Sequence, residues 1–267
     1  NALNLGASTV SRNLNVTSGG ALGQTGAISV AGTSALDASG NNITLSNTSN
    51  DFQDTVSVTN ANNLNLADVN SLKMAAVTLP GTLTLNTNGN LTQSGAFVVT
   101  GASTINTGSG DATLTNAGND FSTLSISGTN ANVRDSNGII LGATNETGDL
   151  TITAGGNITQ SGAATVGGTT TLVAGANNIT LNNAANDFAT LKVTSANNVG
   201  VTDVNGIDLG ASSVSGTLGV TTSGAITQSG AVTATGAATF AAGSGNNITL
   251  NNAANDFATL KITSGNN

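Results

Sequence analysis

The chain has 267 residues, but its composition is unlike that of an ordinary globular protein. Charged residues make up 7% and aromatic residues 2%, and His, Cys, Trp and Tyr are all absent. The net charge of −8 disfavours nucleic-acid binding, which needs a basic surface. Disulfides are excluded because there is no Cys, and no apolar run is long enough to predict a membrane span.

One three-residue phrase, Asn-Asp-Phe, occurs four times and sets the period of the chain. Its Phe residues lie 69, 67 and 69 positions apart, and four Gln residues follow almost the same spacing. Self-similarity at a fixed period indicates a repeat architecture, here with a unit of about 68 residues. We therefore predict that these residues are structural markers of the repeat: Asn50, Asp51, Phe52, Asn119, Asp120, Phe121, Asn186, Asp187, Phe188, Asn255, Asp256, Phe257, Gln24, Gln93, Gln160 and Gln228.

The period divides the chain into four repeats of one continuous array. We place them at residues 1–69, 70–136, 137–204 and 205–267, and the fourth is about six residues short of its counterpart in the third. Both ends fall inside the pattern and carry no distinct cap, whereas the terminal units of repeat arrays are usually atypical. We expect the chain to be part of a longer array.

The apolar residues are laid out as short strands separated by small polar residues. Runs such as Leu83-Thr84-Leu85 and Ile179–Leu181 alternate, and about nine such runs fill one repeat. A hairpin meander would need longer strands joined by two-residue turns. The pattern instead predicts an all-β parallel β-helix, a solenoid with three strands per turn and about three turns per repeat.

The markers are interpreted first as parts of this fold. We predict that Asn-Asp-Phe lies in an outward loop, for example 182–189, where Asn and Asp bond nearby backbone and Phe packs against the core. The Gln residues share the inward parity of their apolar neighbours, so a buried amide that bonds corner carbonyls and fixes the register is expected. The alternative is a repeated binding module, in which the Asn-Asp-Phe loops or rows of Thr and Asn along one face contact a ligand.

Little in the chain suits catalysis or metal binding. Glu146 is the single Glu, and no His or Cys is present to act as base, nucleophile or ligand. A second series of Asp residues (Asp68, Asp135, Asp203) is spaced like the first, about three turns apart, which is too far for two of its members to share a calcium ion. We interpret these residues as Asx turns, and we predict no catalytic, cofactor or metal site and no enzymatic activity.

Several phrases resemble a known family. Gly156–Gly162, Gly167–Leu172 and Asn177–Leu181 are similar to haemagglutinin-type repeats of filamentous-haemagglutinin-like adhesins, which Gram-negative bacteria export by two-partner secretion. The resemblance implies a right-handed β-helix in an extracellular, cell-surface protein. The Asn-Pro-Asn signatures of that family's secretion domain are absent, so the resemblance implies the shaft. The expected partners are neighbouring repeats of the same longer chain, with lateral self-association or host glycans as further expectations.

Overall fold

The structure, a computed structural model, describes residues 1–267 as strands, turns and bends. It contains no helix, and so none that could cross a membrane. The contacts divide the chain into two compact units, residues 1–135 and 136–267. Both units are built from strands because β-branched and aliphatic residues alternate with Thr, Ser and Asn over short runs.

The first unit contains eighteen strands, most of them three to five residues long. They are β1 (Leu3–Leu5), β2 (Ser8–Val10), β3 (Leu14–Thr17), β4 (Leu22–Gln24), β5 (Ile28–Val30), β6 (Ser34–Asp37), β7 (Ile43–Leu45), β8 (Asp51–Phe52), β9 (Val56–Asn60), β10 (Leu64–Ala67), β11 (Leu72–Met74), β12 (Val77–Leu79), β13 (Leu83–Asn86), β14 (Leu91–Gln93), β15 (Phe97–Asn106), β16 (Ala112–Leu114), β17 (Asp120–Gly128) and β18 (Ala131–Asp135).

The second unit contains thirteen strands. They are β19 (Ile139–Glu146), β20 (Leu150–Ala154), β21 (Ile158–Gln160), β22 (Ala164–Val173), β23 (Ile179–Leu181), β24 (Asp187–Ser195), β25 (Val199–Asp203), β26 (Ile207–Leu209), β27 (Ser212–Val214), β28 (Leu218–Thr222), β29 (Ile226–Gln228), β30 (Val232–Ala241) and β31 (Asp256–Ser264).

Most strands pair in parallel with strands one turn earlier and one turn later in the sequence. In the first unit Leu3 lies opposite Leu22, and Leu22 lies opposite Ile43. In the second unit Ile139 lies opposite Ile158, and Ile158 opposite Ile179. Parallel pairing between successive turns of one chain defines a β-solenoid, so the predicted all-β parallel β-helix is confirmed.

The core of each turn is filled by inward side chains that stack in columns. Leu22, Ile43, Leu64 and Leu83 form one such column, and each is at most 1% exposed. The side chains between them on the same strands point outward, because successive residues of a strand face opposite sides. Burial of one aliphatic side chain of this size contributes roughly 1.5–3 kcal/mol, so the columns are the main source of stability.

The register refines the predicted count of about three turns per repeat. From Leu22 three turns lead to Leu83 and a fourth leads to Ser103. The residue equivalent to Leu22 in the next repeat, Leu91, follows Leu83 by eight residues and precedes Ser103 by twelve. Leu91 begins β14, the strand after the one that holds Leu83, and it is stacked with Leu72 on the next of three faces. One repeat therefore spans about three and a third turns, and equivalent residues of neighbouring repeats are displaced by one strand of the three in a turn.

The second unit repeats this displacement. Three turns from Ile158 lead through Ile179 and Val199 to Leu218. The residue equivalent to Ile158 in the fourth repeat, Ile226, again follows Leu218 by eight residues. In each unit the two repeats consequently present the same residues on different columns of the solenoid.

Some strands are longer than the sequence predicts, because they continue around a corner. The alternating runs 232–234 and 239–241 are separated in the sequence by small residues, which predicts two strands, but both belong to β30. At the corner between them, Gly236 N–H donates to Gly216 O at 2.8 Å, and a Cβ on Gly236 would lie 2.7 Å from that same oxygen. Glycine thus lets two successive turns approach closely enough for the sheet to continue through the bend.

A left-handed backbone turn recurs once in each repeat. Gly108, Gly175 and Gly243 occupy it with φ of 59°, 59° and 75°. In the first repeat the same position is Ser39, with φ of 50°, and Gly40 follows with φ of 78°. Glycine is favoured here because a side chain in this region of φ is crowded against the backbone.

Candidate functional site

Two of the predicted markers, Gln and Asn, form a reciprocal amide pair. In the second repeat Gln93 Nε2 donates to Asn119 Oδ1 at 2.8 Å, and Asn119 Nδ2 donates to Gln93 Oε1 at 2.9 Å. The two residues are 26 positions apart, so the pair joins one turn to the next. Asn119 is fully buried, whereas Gln93 is half-buried.

The remaining capacity of this amide pair is used by the backbone. Asn119 Oδ1 also accepts the N–H of Phe97 at 2.8 Å, and its Nδ2 donates to Leu114 O at 2.9 Å. Gln93 Nε2 donates to Gly95 O at 2.6 Å, a carbonyl contact of the kind that the sequence predicts. Such a network stabilises one register, since buried polar groups that lose their partners are strongly unfavourable.

An aspartate completes the arrangement on the turn after that. In the first repeat the N–H of Phe52 donates to Asp68 Oδ2 at 2.8 Å, and the N–H of Asn70 donates to Asp68 Oδ1 at 2.9 Å. The second bond is the Asx turn that the sequence predicts. The first bond, which ties Asp68 to the Asn-Asp-Phe segment of the preceding turn, was not predicted.

We call this set the amide bracket and define it by its Gln, Asn and Asp members. The Gln–Asn pair is present in all four repeats, with both bonds between 2.8 and 3.0 Å. The Asp bond to the Phe N–H is present in the first three repeats at 2.7–2.8 Å. The members are Gln24, Asn50 and Asp68; Gln93, Asn119 and Asp135; Gln160, Asn186 and Asp203; and Gln228 with Asn255.

Burial changes the acidity of the bracket aspartates. The pKa of Asp68 and that of Asp203 are raised above the ordinary value of 3.8, chiefly because burial disfavours the charged carboxylate. The two N–H donors act in the opposite direction, and the nearby carboxylates of Asp51 and Asp187 add to the rise. Desolvation outweighs the hydrogen bonds at both positions.

The Phe and Asp markers lie in strands, not in the predicted loop. The segment 182–189 was expected as a loop, but Asp187 and Phe188 begin β24, opposite Thr165 and Val166. Phe188 is fully buried, as are Phe52 and Phe121 at no more than 1% exposure, while Phe257 is half-buried. The outward turn ends before the Asp. From the Asp onwards, the backbone N–H and C=O groups take part in the sheet.

Aromatic contacts add to this packing. Phe121 meets Phe97 edge-on with ring centroids 6.3 Å apart, and Phe240 meets Phe257 at 6.0 Å. These geometries are the favourable ones for aromatic pairs and are worth about 1 kcal/mol beyond burial. The Phe of the motif is therefore a core residue.

The acidic residues are distributed through the fold and are not gathered into a site. No group of three or more His, Cys, Asp or Glu side chains lies close enough to hold a metal ion. Asp51 and Asp68 are neighbours, yet Asp51 accepts the Asn70 amide at 2.9 Å and Asp68 accepts backbone N–H groups. Glu146 is buried within β19 and is 1% exposed.

A second use of asparagine, which was not predicted, occurs at corners directly before strands, such as those before β7 and β10. Asn63 Nδ2 donates to Asn42 Oδ1 at 2.9 Å, and Asn63 Oδ1 accepts the N–H of Thr82 at 2.6 Å. In the second unit Asn198 and Asn178 are joined in the same way at 3.1 Å. In these corner ladders an amide on one turn bonds groups on the next. The Asn that recurs directly before strands such as β7, β10, β23 and β25 is the signal that could have revealed them.

Comparison with known proteins identifies the repeat. Four segments of the chain, residues 1–59, 61–127, 128–195 and 196–264, match the family described as repeats of unknown function (DUF5649). The second, third and fourth segments each begin nine residues before the repeats defined above, because a periodic chain can be divided at any point of its period. No curated protein and no solved structure matches the chain. The matched segments cover nearly the whole sequence, and the chain accordingly belongs to this family of repeats.

Proposed function

We propose that the chain is a non-enzymatic structural shaft of a large secreted bacterial surface adhesin or extracellular fibre. The observation that carries the proposal is the amide bracket, which each complete repeat devotes to joining three successive turns. The most specific residues of the repeat serve stacking, so the repeat is specialised for extending a regular solenoid.

The physical logic is that of a quasi-one-dimensional protein. Each turn contacts its neighbours, and stability grows with the number of turn-to-turn interfaces. The aliphatic columns supply the apolar burial, while the bracket and the corner ladders remove the alternatives in which turns slip by a residue. A chain of this kind can be lengthened by adding repeats without designing a new core.

The extracellular location and the role in adhesion rest on a narrower basis. They follow from the resemblance of phrases such as Gly156–Gly162 to haemagglutinin-type repeats. Neighbouring repeats are the partners that the stacking supports, and lateral association of shafts or contact with host glycans belongs to the same proposal.

The location can be tested with antibodies raised against the purified chain. Intact source cells should be labelled by immunogold electron microscopy, and brief protease treatment of intact cells should remove the label. Antigen confined to the cytoplasmic fraction, and unaffected by external protease, would contradict the proposal.

The repeated binding module is the weaker candidate. In all three repeats where it is covered by further turns, the Asn of Asn-Asp-Phe is fully buried and its amide is bonded to Gln, and the Phe is in the core. The offset of one strand per repeat also places the two motifs of each unit on different columns. The register therefore disfavours simultaneous contact of both motifs with one flat surface.

A further inference from the structure

We propose that the first unit carries a single binding site for a neutral saccharide, separate from the repeated features of the shaft. The site is a groove of about 400 Å³ on the outer surface of β7, β10, β13 and β15. We call it the neutral groove and define it by six of its lining residues: Ser46, Thr48, Val69, Asn86, Asn88 and Asn106.

The polar side chains of the neutral groove are free to bind. Ser46, Thr48 and Asn88 are exposed and Asn86 is half-exposed, and no hydrogen bond within the chain uses their hydroxyl or amide groups. Asn106 uses only its Oδ1, which accepts the N–H of Gly108 at 2.9 Å. The corner ladders and the amide bracket, in contrast, pair their asparagines within the chain.

The fold does not require these side chains, since other repeats replace them. Thr48 corresponds to Ala117, Ala184 and Ala253 in the other three repeats. The other groove positions change as well: Asn86 corresponds to Thr17, Thr153 and Thr221; Asn88 to Gly19, Gly155 and Ser223; Asn106 to Asp37, Val173 and Ala241. Three turns of one unit thus bring together Thr48, Asn86, Asn88 and Asn106, a set of side chains that no other repeat carries at these positions.

The floor of the groove is formed by a small residue, Ala67. Ala67 lies between Ser46 and Asn86 in the stacked strands, and its equivalent in the second repeat is Arg134, whose side chain is exposed. A long side chain at this position would fill the groove. The small residue leaves the space, and Val69 beside it is 43% exposed and offers an apolar surface.

The chemistry of the groove selects a neutral polyhydroxy ligand. Amides and hydroxyls both donate and accept, which suits sugar hydroxyls, and Val69 can contact a C–H face of the ring. Asp68 is the one charged residue of the lining, and its oxygens already accept the N–H groups of Phe52 and Asn70. Without an aromatic ring to stack on the sugar, an affinity of about millimolar is expected.

The test is a titration of the full chain, labelled with ¹⁵N, followed by NMR chemical shifts. The probes are maltotetraose, cellotetraose and mannotetraose, with sialyllactose as an anionic comparison. We expect saturable shifts with at least one neutral tetrasaccharide, confined to amides around β10, β13 and the loop before β8.

Two variants and a control link binding to the groove. The triple variant Thr48→Ala, Asn86→Thr and Asn88→Ser introduces residues that other repeats carry, and it should weaken binding by about tenfold or more. Ala67→Arg should abolish binding by filling the space. Thr113→Ala, an exposed change on β16 outside the groove, should leave binding unchanged.

Three results would overturn the proposal. They are the absence of saturable shifts with every neutral probe at millimolar concentration, a response to sialyllactose alone, and equal affinity in the wild type and the triple variant. Far-UV circular dichroism of each variant, compared with the wild type, separates loss of binding from loss of fold.

Discussion

The amide bracket and the neutral groove use the same side chains in opposite ways. In the bracket, Asn119 and its equivalents are buried, fully hydrogen-bonded and repeated in every copy. In the groove, Asn86 and Asn88 are solvent-accessible, unpaired within the chain and found in one copy only. In a chain made of near-identical repeats, the residues shared by all copies are those that the fold needs. Residues that differ among the copies are not required by the fold.

The comparison also separates stability from binding. A bracket asparagine bonds groups on adjacent turns. Its removal leaves several of these buried groups without a hydrogen-bond partner. The side chains of Asn86 and Asn88 in the groove make no hydrogen bond within the chain, so their removal leaves the fold with the same hydrogen bonds. Four variants test this difference, in decreasing order of expected effect on the free energy of unfolding.

The largest loss is expected for Asn119→Ala. The substitution leaves the amide of Gln93, the N–H of Phe97 and the carbonyl of Leu114 without their partner. Unsatisfied buried groups cost about 1–3 kcal/mol each, so a loss of about 3 kcal/mol or more is expected. Urea unfolding followed by far-UV circular dichroism measures it, because the chain has no Trp or Tyr fluorescence.

The control for this substitution is Asn132→Ala, an exposed asparagine on β18. It should change the free energy of unfolding by less than about 0.5 kcal/mol. Equal effects of the two substitutions would show that the bracket has no special role.

The next effect in size is expected for Asp203→Asn, and it depends on pH. At neutral pH the new amide nitrogen would face an N–H group of Phe188 or Asn205, and a loss of about 1–2 kcal/mol is expected. The folded-state pKa of Asp203 is raised, so protonation favours the folded state. The contribution of Asp203 is therefore greatest below the ordinary value of 3.8 and declines as pH rises through the folded-state pKa.

Urea midpoints of the wild type and Asp203→Asn, measured from neutral pH down to about pH 4, test the sign of this dependence. The wild type should gain stability relative to the variant as the pH falls through this range. Parallel curves would contradict a raised pKa for the Asp203 carboxyl.

A smaller effect of opposite sign is expected for Ser103→Ala. Ser103 is 1% exposed between Leu83 and Leu124, and its Oγ has no hydrogen-bond partner. The fourth repeat has Ala238 at the equivalent position, also fully buried. Removal of the unpaired hydroxyl should stabilise the chain by about 1 kcal/mol in thermal or urea unfolding.

The outward-facing Ser125→Ala on β17 is the control for the serine substitution. Its hydroxyl is reachable by water, and a change within about 0.5 kcal/mol is expected. A clear destabilisation by Ser103→Ala would mean that its hydroxyl has a partner in solution.

The smallest effect on stability is expected for the groove variant Thr48→Ala, Asn86→Thr and Asn88→Ser. Its free energy of unfolding should lie within about 0.5 kcal/mol of the wild type, because no hydrogen bond within the chain is lost. A large loss in the free energy of unfolding would show that these residues stabilise the fold as the bracket residues do, and would contradict the distinction between the two sites.

The sequence was sufficient for the fold class and for the identity of the bracket residues, but not for their partners. The spacing of Gln93 and Asn119 is longer than one turn, and successive turns differ in length, with 19 residues from Leu3 to Leu22 and 21 from Leu22 to Ile43. Contacts across such turns cannot be obtained by counting residues. For the same reason the link from Asp68 to the N–H of Phe52 was missed.

The neutral groove was beyond prediction for a different reason. Its residues come from two repeats and four strands, and each is an ordinary outward Ser, Thr or Asn in a chain rich in them. Only the register shows that they meet, and only the hydrogen bonds show that they are unused.

The displacement of one strand per repeat has a consequence for how such a chain can change by duplication. Insertion or loss of one repeat would move every later residue of an uninterrupted solenoid to an adjacent one of its three faces, whereas three repeats would restore the original facing. The number of copies thus determines which way later residues face as well as the length of the solenoid. Variants of this protein that differ by a multiple of three repeats should keep a surface feature on the same face, and variants that differ by any other number should carry it on a different face.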